Sequence, residues 1–180
     1  MKDEKIIYIL AGYFSSVFES KSIDELIIFK LIQSLECFHR EVLTGNYVDT
    51  FIFESQTYPK IIEAIKDVND ISFKESMTNR MKYLNEYSLK KRITLLIEYI
   101  GEDIYSMLNN GITKQQYATC VANTRNHYTH LGQPKTPYAK DILRLYKELN
   151  YIFILILCKY LEIDNLIEIA KRLLKFYGFD

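Results

Sequence analysis

Tryptophan is absent from the 180 residues, cysteine, histidine and proline number three each, and there are six glycines. So little proline and glycine excludes a collagen-like or low-complexity chain. The cysteines, Cys37, Cys120 and Cys158, are odd in number, far apart and never in a CxxC pair. They make no disulfide framework, which points to a reducing, cytoplasmic setting. No apolar run approaches the ~20 residues that cross a bilayer; the longest near the C-terminus is 151–158. The apolar stretch 6–14 continues into an amphipathic pattern without a convincing cleavage site, so it is not read as a signal peptide. Net charge of one sign is missing too, since 23 basic groups balance 23 acidic ones. That argues against attachment to nucleic acid by bulk electrostatics while leaving room for a local patch.

What the chain does have is a 48% apolar composition and a length suited to one domain with a sizeable core, expected to span residues 1–180. Residues 5–19 read as a first helix. Ser22 with Glu25 has the form of a capping box, and Leu26, Phe29, Ile32, Leu35 and Phe38 follow at helical spacing until Gly45. Residues 46–56 form a connection with a β-branched and aromatic patch too short for a sheet. Pro59 suits the first turn of a helix through Lys66. Helices are predicted over 72–86 and 89–100, with a short one at 104–108. Thr113 and Gln116 make a second capping box, opening a helix that ends before Gly132 and Pro134. Thr136-Pro137 starts a long helix through Tyr160, and Asp164 caps a last one that stops at Gly178. With no hairpin-linked strands and no fixed-period repeat, the predicted fold class is all-α, a bundle with additional short helices.

Charge is unevenly placed: residues 1–110 carry 13 basic and 17 acidic groups, and residues 111–180 carry 10 and 6. An anionic partner therefore suits the second part better. Two of the three histidines, His127 and His130, fall there in the polar segment Thr124-Arg125-Asn126-His127-Tyr128-Thr129-His130; the third is His39. Lys135, Lys140, Arg144 and Lys147 follow. A cation, a titratable imidazole and a positive field together suit a phosphate. Five residues turn a helix by about 140°, so Arg125 and His130 do not share a face, whereas Asn126 and His130 do. Using both demands a groove between helices, a distorted helix end or a second subunit. The plain alternative is that Arg125 pairs with a carboxylate and the histidines cap helix carbonyls. Metal binding is not expected: His127-x-x-His130 has no third ligand at a recognisable spacing, and Glu36-x-x-His39 has no second such pair. The 15 Tyr and 10 Phe sit mostly at core periodicity, but Tyr128, Tyr138 and Tyr146 lie near the basic segment, where single-strand binders place stacking rings.

Arg125-Asn126-x-x-x-His130 resembles the HEPN superfamily motif, an Arg followed after four to six residues by a His. The phrase around it, the upstream helix Leu35-Glu36-Cys37-Phe38-His39-Arg40 and the aliphatic helix downstream are similar to Apea-like HEPN domains, over roughly residues 20–160. The resemblance implies a metal- and cofactor-independent endoribonuclease cutting single-stranded RNA. It also implies a homodimer with facing motifs, within toxin–antitoxin, phage-defence or RNA-processing systems. An antitoxin or regulatory protein is an implied partner, and no membrane is. Arg125 would bind the scissile phosphate, His130 would act as general acid/base, and Asn126 would orient the histidine or a phosphate oxygen. Glu36 and His127 are supporting candidates; Lys135, Lys140, Arg144 and Tyr128 are candidates for holding RNA. HEPN toxins silenced by adenylylation carry a Tyr two residues after the His, where this chain has Gly132. The competing reading is a non-catalytic helical module that dimerises or docks a partner, followed by nucleotide binding without cleavage.

Overall fold

The computed structural model describes residues 2–18, 23–43, 45–108, 111–130 and 141–179, with backbone alone at 2–5, 16, 18 and 130. Contacts divide the chain into two compact units, Met1–Leu43 with Leu89–Asp180, and Thr44–Ser88. Among the described residues the fold is all-α, as the residue pattern predicts.

The larger unit holds α1 (Lys2–Phe18) and α2 (Glu25–Val42) before the smaller one in the chain. The elements α6 (Leu89–Ile100), α7 (Glu102–Ser106), α8 (Lys114–His130), α9 (Ile142–Tyr160) and α10 (Leu166–Tyr177) follow it. Helix α2 packs against α1, α6, α8 and α9, while α6 packs on α8 and α9, and α10 rests on α9. Buried aliphatics recur at i, i+3 and i+4 and so share one face of each helix: Ile28, Leu31, Ile32 and Leu35 on α2, and Leu149, Ile152, Leu155 and Ile156 on α9. The α2 stripe differs from the predicted one. Leu26 is 59% exposed and Phe29 only half-buried, whereas Ile27 and Ile28 are inside. Steps of three residues fall about 60° short of a full helical turn, so the run 26, 29, 32 drifts off the core face at its N-terminal end.

The core also takes polar cross-links. The Tyr13 hydroxyl donates to Asn150 Oδ1 at 2.7 Å, and Tyr151 donates to the Ile104 carbonyl at 3.1 Å, tying α9 to α7. The Tyr13 and Phe153 rings lie 4.3 Å apart.

Several ends differ from expectation. Asp24, not Ser22, caps α2, accepting the Ile27 N–H at 3.0 Å; Ser22 lies outside the described residues. Asp141 opens α9 by accepting the Arg144 N–H, so the helix starts at Ile142; residues 136–137 lie outside the described residues. Asn165, one residue after Asp164, stands at the start of α10 with φ 61°, a left-handed conformation that asparagine tolerates. The Thr113–Gln116 box forms as predicted: Thr113 N–H donates to Gln116 Oε1 at 2.8 Å, and Gln116 N–H to Thr113 Oγ1 at 3.2 Å.

The smaller unit replaces most of the expected connection with helical turns: α3 (Thr50–Ile52), a π-turn over Phe53–Thr57, then α4 (Tyr58–Ala64) with Pro59 in its first turn. Its last helix, α5 (Ile71–Met81), ends earlier than predicted because the chain after it turns into a bridge between Asn46 and Glu86. The Asn85 side chain closes that bridge by bonding both the N–H and the C=O of Val48.

Candidate active site

Helix α8 turns Tyr117, Ala118, Val121 and Thr124 into the core. This stripe leaves the next residues on its flank: Arg125 half-buried, Asn126 exposed, His127 and Tyr128 half-buried, Thr129 exposed. Thr124 and Thr129 spend their hydroxyls on carbonyls one turn back, those of Cys120 and Arg125, each at 2.8 Å. The polar segment therefore remains helical to its end, and the rotation that separates Arg125 from His130 applies. His130 closes α8; its side chain lies outside the described residues, as do Lys135 and Lys140.

The Arg125 guanidinium lies 5.8 Å from the centre of the Phe29 ring on α2, in cation–π range. Among the described residues no carboxylate pairs with it. The His127 Nδ1 is buried and caps no carbonyl among the described residues, and its ring stands 5.2 Å from that of Tyr128. Burial pushes the Tyr128 phenol up, with a smaller contribution from the Glu25 carboxylate.

The supporting candidates are differently engaged. Glu36 gives its carboxylate to Arg40 on its own helix at 2.9 Å. The Arg144 Nε donates to Glu148, a fully buried carboxylate, at 3.0 Å. Lys114, at the other end of α8, joins Glu98 at 2.8 Å and also Glu102. His39 is buried with its Nδ1 3.2 Å from Arg92 Nη1, so Glu36 and His39 serve separate partners. Among the described residues no group of three or more His, Cys, Asp or Glu side chains could hold a metal ion, and no helix is long and apolar enough to cross a membrane.

The family model for Apea-like HEPN matches residues 29–165, running from Phe29 through the motif segment and past α9. This chain belongs to the Apea-like HEPN family. No curated protein and no solved structure matches it. Within this HEPN chain, Phe29 and Glu25 are site neighbours that residue patterns did not mark. Phe29 read as core because it sits at helical spacing, and only the tilt of the α2 stripe turns it toward Arg125.

Proposed function

We propose that this HEPN protein is a metal-independent endoribonuclease acting on single-stranded RNA in the cytoplasm, in a toxin–antitoxin or phage-defence setting. Family membership supports the reading, since HEPN domains are often ribonucleases. The observation that carries it is Arg125: a half-exposed guanidinium resting on an aromatic face, with no carboxylate partner among the described residues. A cation placed this way keeps its N–H donors for a phosphate.

In this mechanism His130 takes the proton of the ribose 2′-OH, whose oxygen attacks the adjacent phosphorus. The P–O5′ bond breaks, the leaving 5′-oxygen gains a proton, and the products are a 2′,3′-cyclic phosphate and a 5′-hydroxyl. Arg125 binds the non-bridging oxygens and stabilises the charge that develops there. Asn126, four residues before His130, orients its imidazole. Because five residues along one helix set Arg125 and His130 about 140° apart around its axis, the site in this reading draws on two copies of the chain. Residues 1–180 act in this reading as one HEPN-like domain carrying 44–88 as an insertion, and an antitoxin or regulator restrains it.

Purified protein should cut single-stranded RNA in the presence of EDTA and leave DNA intact. Arg125→Ala should lower the rate by about 10²- to 10³-fold and His130→Ala by about 10²- to 10⁴-fold. Host growth on expression gives a parallel readout, because toxicity should need both residues. RNA left whole by wild type and His130→Ala alike, with no growth defect, would leave the docking module as the better reading.

A further inference from the structure

We propose that Phe29 is a positioning residue for the nuclease: its ring holds the Arg125 guanidinium in place for the scissile phosphate without consuming the N–H donors that bind it. The assignment rests on the ribonuclease reading above. Arg125 is half-buried near the end of α8, and its guanidinium lies 5.8 Å from the centre of the Phe29 ring on α2.

A half-buried guanidinium needs an electrostatic partner, and the chemistry of that partner decides what the group can still do. A carboxylate would hold it through charge-assisted hydrogen bonds, taking N–H donors and cancelling the charge that a phosphate is to meet. An aromatic ring attracts the cation through its π-system and accepts no strong hydrogen bond from it. The ring also restrains a long side chain before substrate arrives, so less ordering remains to be done on binding. Packing gives no competing reason for a phenylalanine here. The core face of α2 is the stripe Ile28, Leu31, Ile32 and Leu35. Phe29 stands off that stripe, half-buried, and lines a groove of about 520 Å³ together with Glu25 and Tyr128. Glu25, one turn earlier on the same face of α2, presents a carboxylate to that groove. Among the described residues Arg125 nevertheless pairs with the ring and with no carboxylate.

Two readouts test this: single-turnover cleavage of RNA, and anisotropy binding of a fluorescent 2′-O-methyl oligonucleotide of the same sequence, which lacks the attacking hydroxyl. Phe29→Leu keeps an apolar side chain and removes the π-face; it should slow cleavage and weaken binding about three- to tenfold. Phe29→Tyr, which keeps the ring, should leave both at the wild-type level. In an Arg125→Ala chain, Phe29→Leu should have no further effect, because a residue that acts through another is silent once that one is gone. Phenylalanines carrying one, two and three ring fluorines at position 29 should lower the rate stepwise, since each fluorine weakens the negative face of the ring. Equal losses from Phe29→Leu with and without the guanidinium, or a fluorine series with no trend, would overturn the positioning role and leave the nuclease standing. Coupling of the two residues in oligonucleotide binding, without cleavage of RNA, would remove the nuclease and keep Phe29 as the residue that sets Arg125 for a phosphate. Binding and cleavage that ignore both residues would overturn both readings.

Discussion

Arg92 is 1% exposed and faces His39, itself fully buried. Burial and then the Arg92 charge, with Arg40 behind it, push the His39 imidazole down to about 4 from its ordinary 6.5. Between these values the unfolded chain binds a proton that the folded chain refuses. Stability is therefore at full strength above about pH 6.5 and declines as pH falls toward 4, by on the order of 2–3 kcal/mol. Urea denaturation at steps from pH 7 to pH 4.5 should show this decline, and His39→Gln should flatten it. The residue pattern weighed His39 only as a partner for Glu36, because its neighbour Arg92 lies 53 positions away. Arg125 differs: its type and its distance from His130 were legible, while its contact with Phe29 was not.

At the scale of the element, helix ends carry most of the local information, and they divide into two kinds. Side-chain caps such as Thr113 with Gln116 are written in adjacent residues, and that box forms as read. Ends set by backbone conformation are harder to read. After α9, Ile163 N–H reaches back to the Cys158 carbonyl at 2.9 Å, with Glu162 in the left-handed region at φ 55°. Glycine ordinarily fills that position, because a Cβ there costs roughly 1 kcal/mol. At the end of α10 Gly178 does so, at φ 69°. Glu162→Gly should therefore stabilise the chain by up to about 1 kcal/mol, while Gly178→Ala should destabilise it by a similar amount. Thermal melts would move in opposite directions, by roughly 2–4 °C each; a matching shift from both would refute the assignment. A glutamate at that turn gave no signal of the stop after Tyr160 beyond the run of apolar residues ending there.

For the molecule as a whole, the larger unit closes from segments on either side of residues 44–88, with α2 packed against α6, α8 and α9. The candidate site lies where α2 and α8 meet. If two copies share it, each complete site takes Arg125 from one chain and His130 from the other. Mixing inactive Arg125→Ala and His130→Ala chains should then restore about a quarter of wild-type cleavage, since half the dimers would hold one intact site of two. A mixture as inactive as its components would place both groups in one chain.

Helix type, the extent of α6 and the motif segment follow from residues close together in the chain, where hydrophobic period and capping chemistry act over one or two turns. The sequence by itself therefore determined an all-α protein with a HEPN-like Arg125, Asn126 and His130. The tertiary structure alone decided which distant groups meet, His39 with Arg92 and Arg125 with the Phe29 ring, whereas Glu36–Arg40 and Arg144–Glu148 are i,i+4 pairs within single helices. Those two contacts join segments far apart in the chain, so packing selects them from many candidates that local chemistry would accept equally.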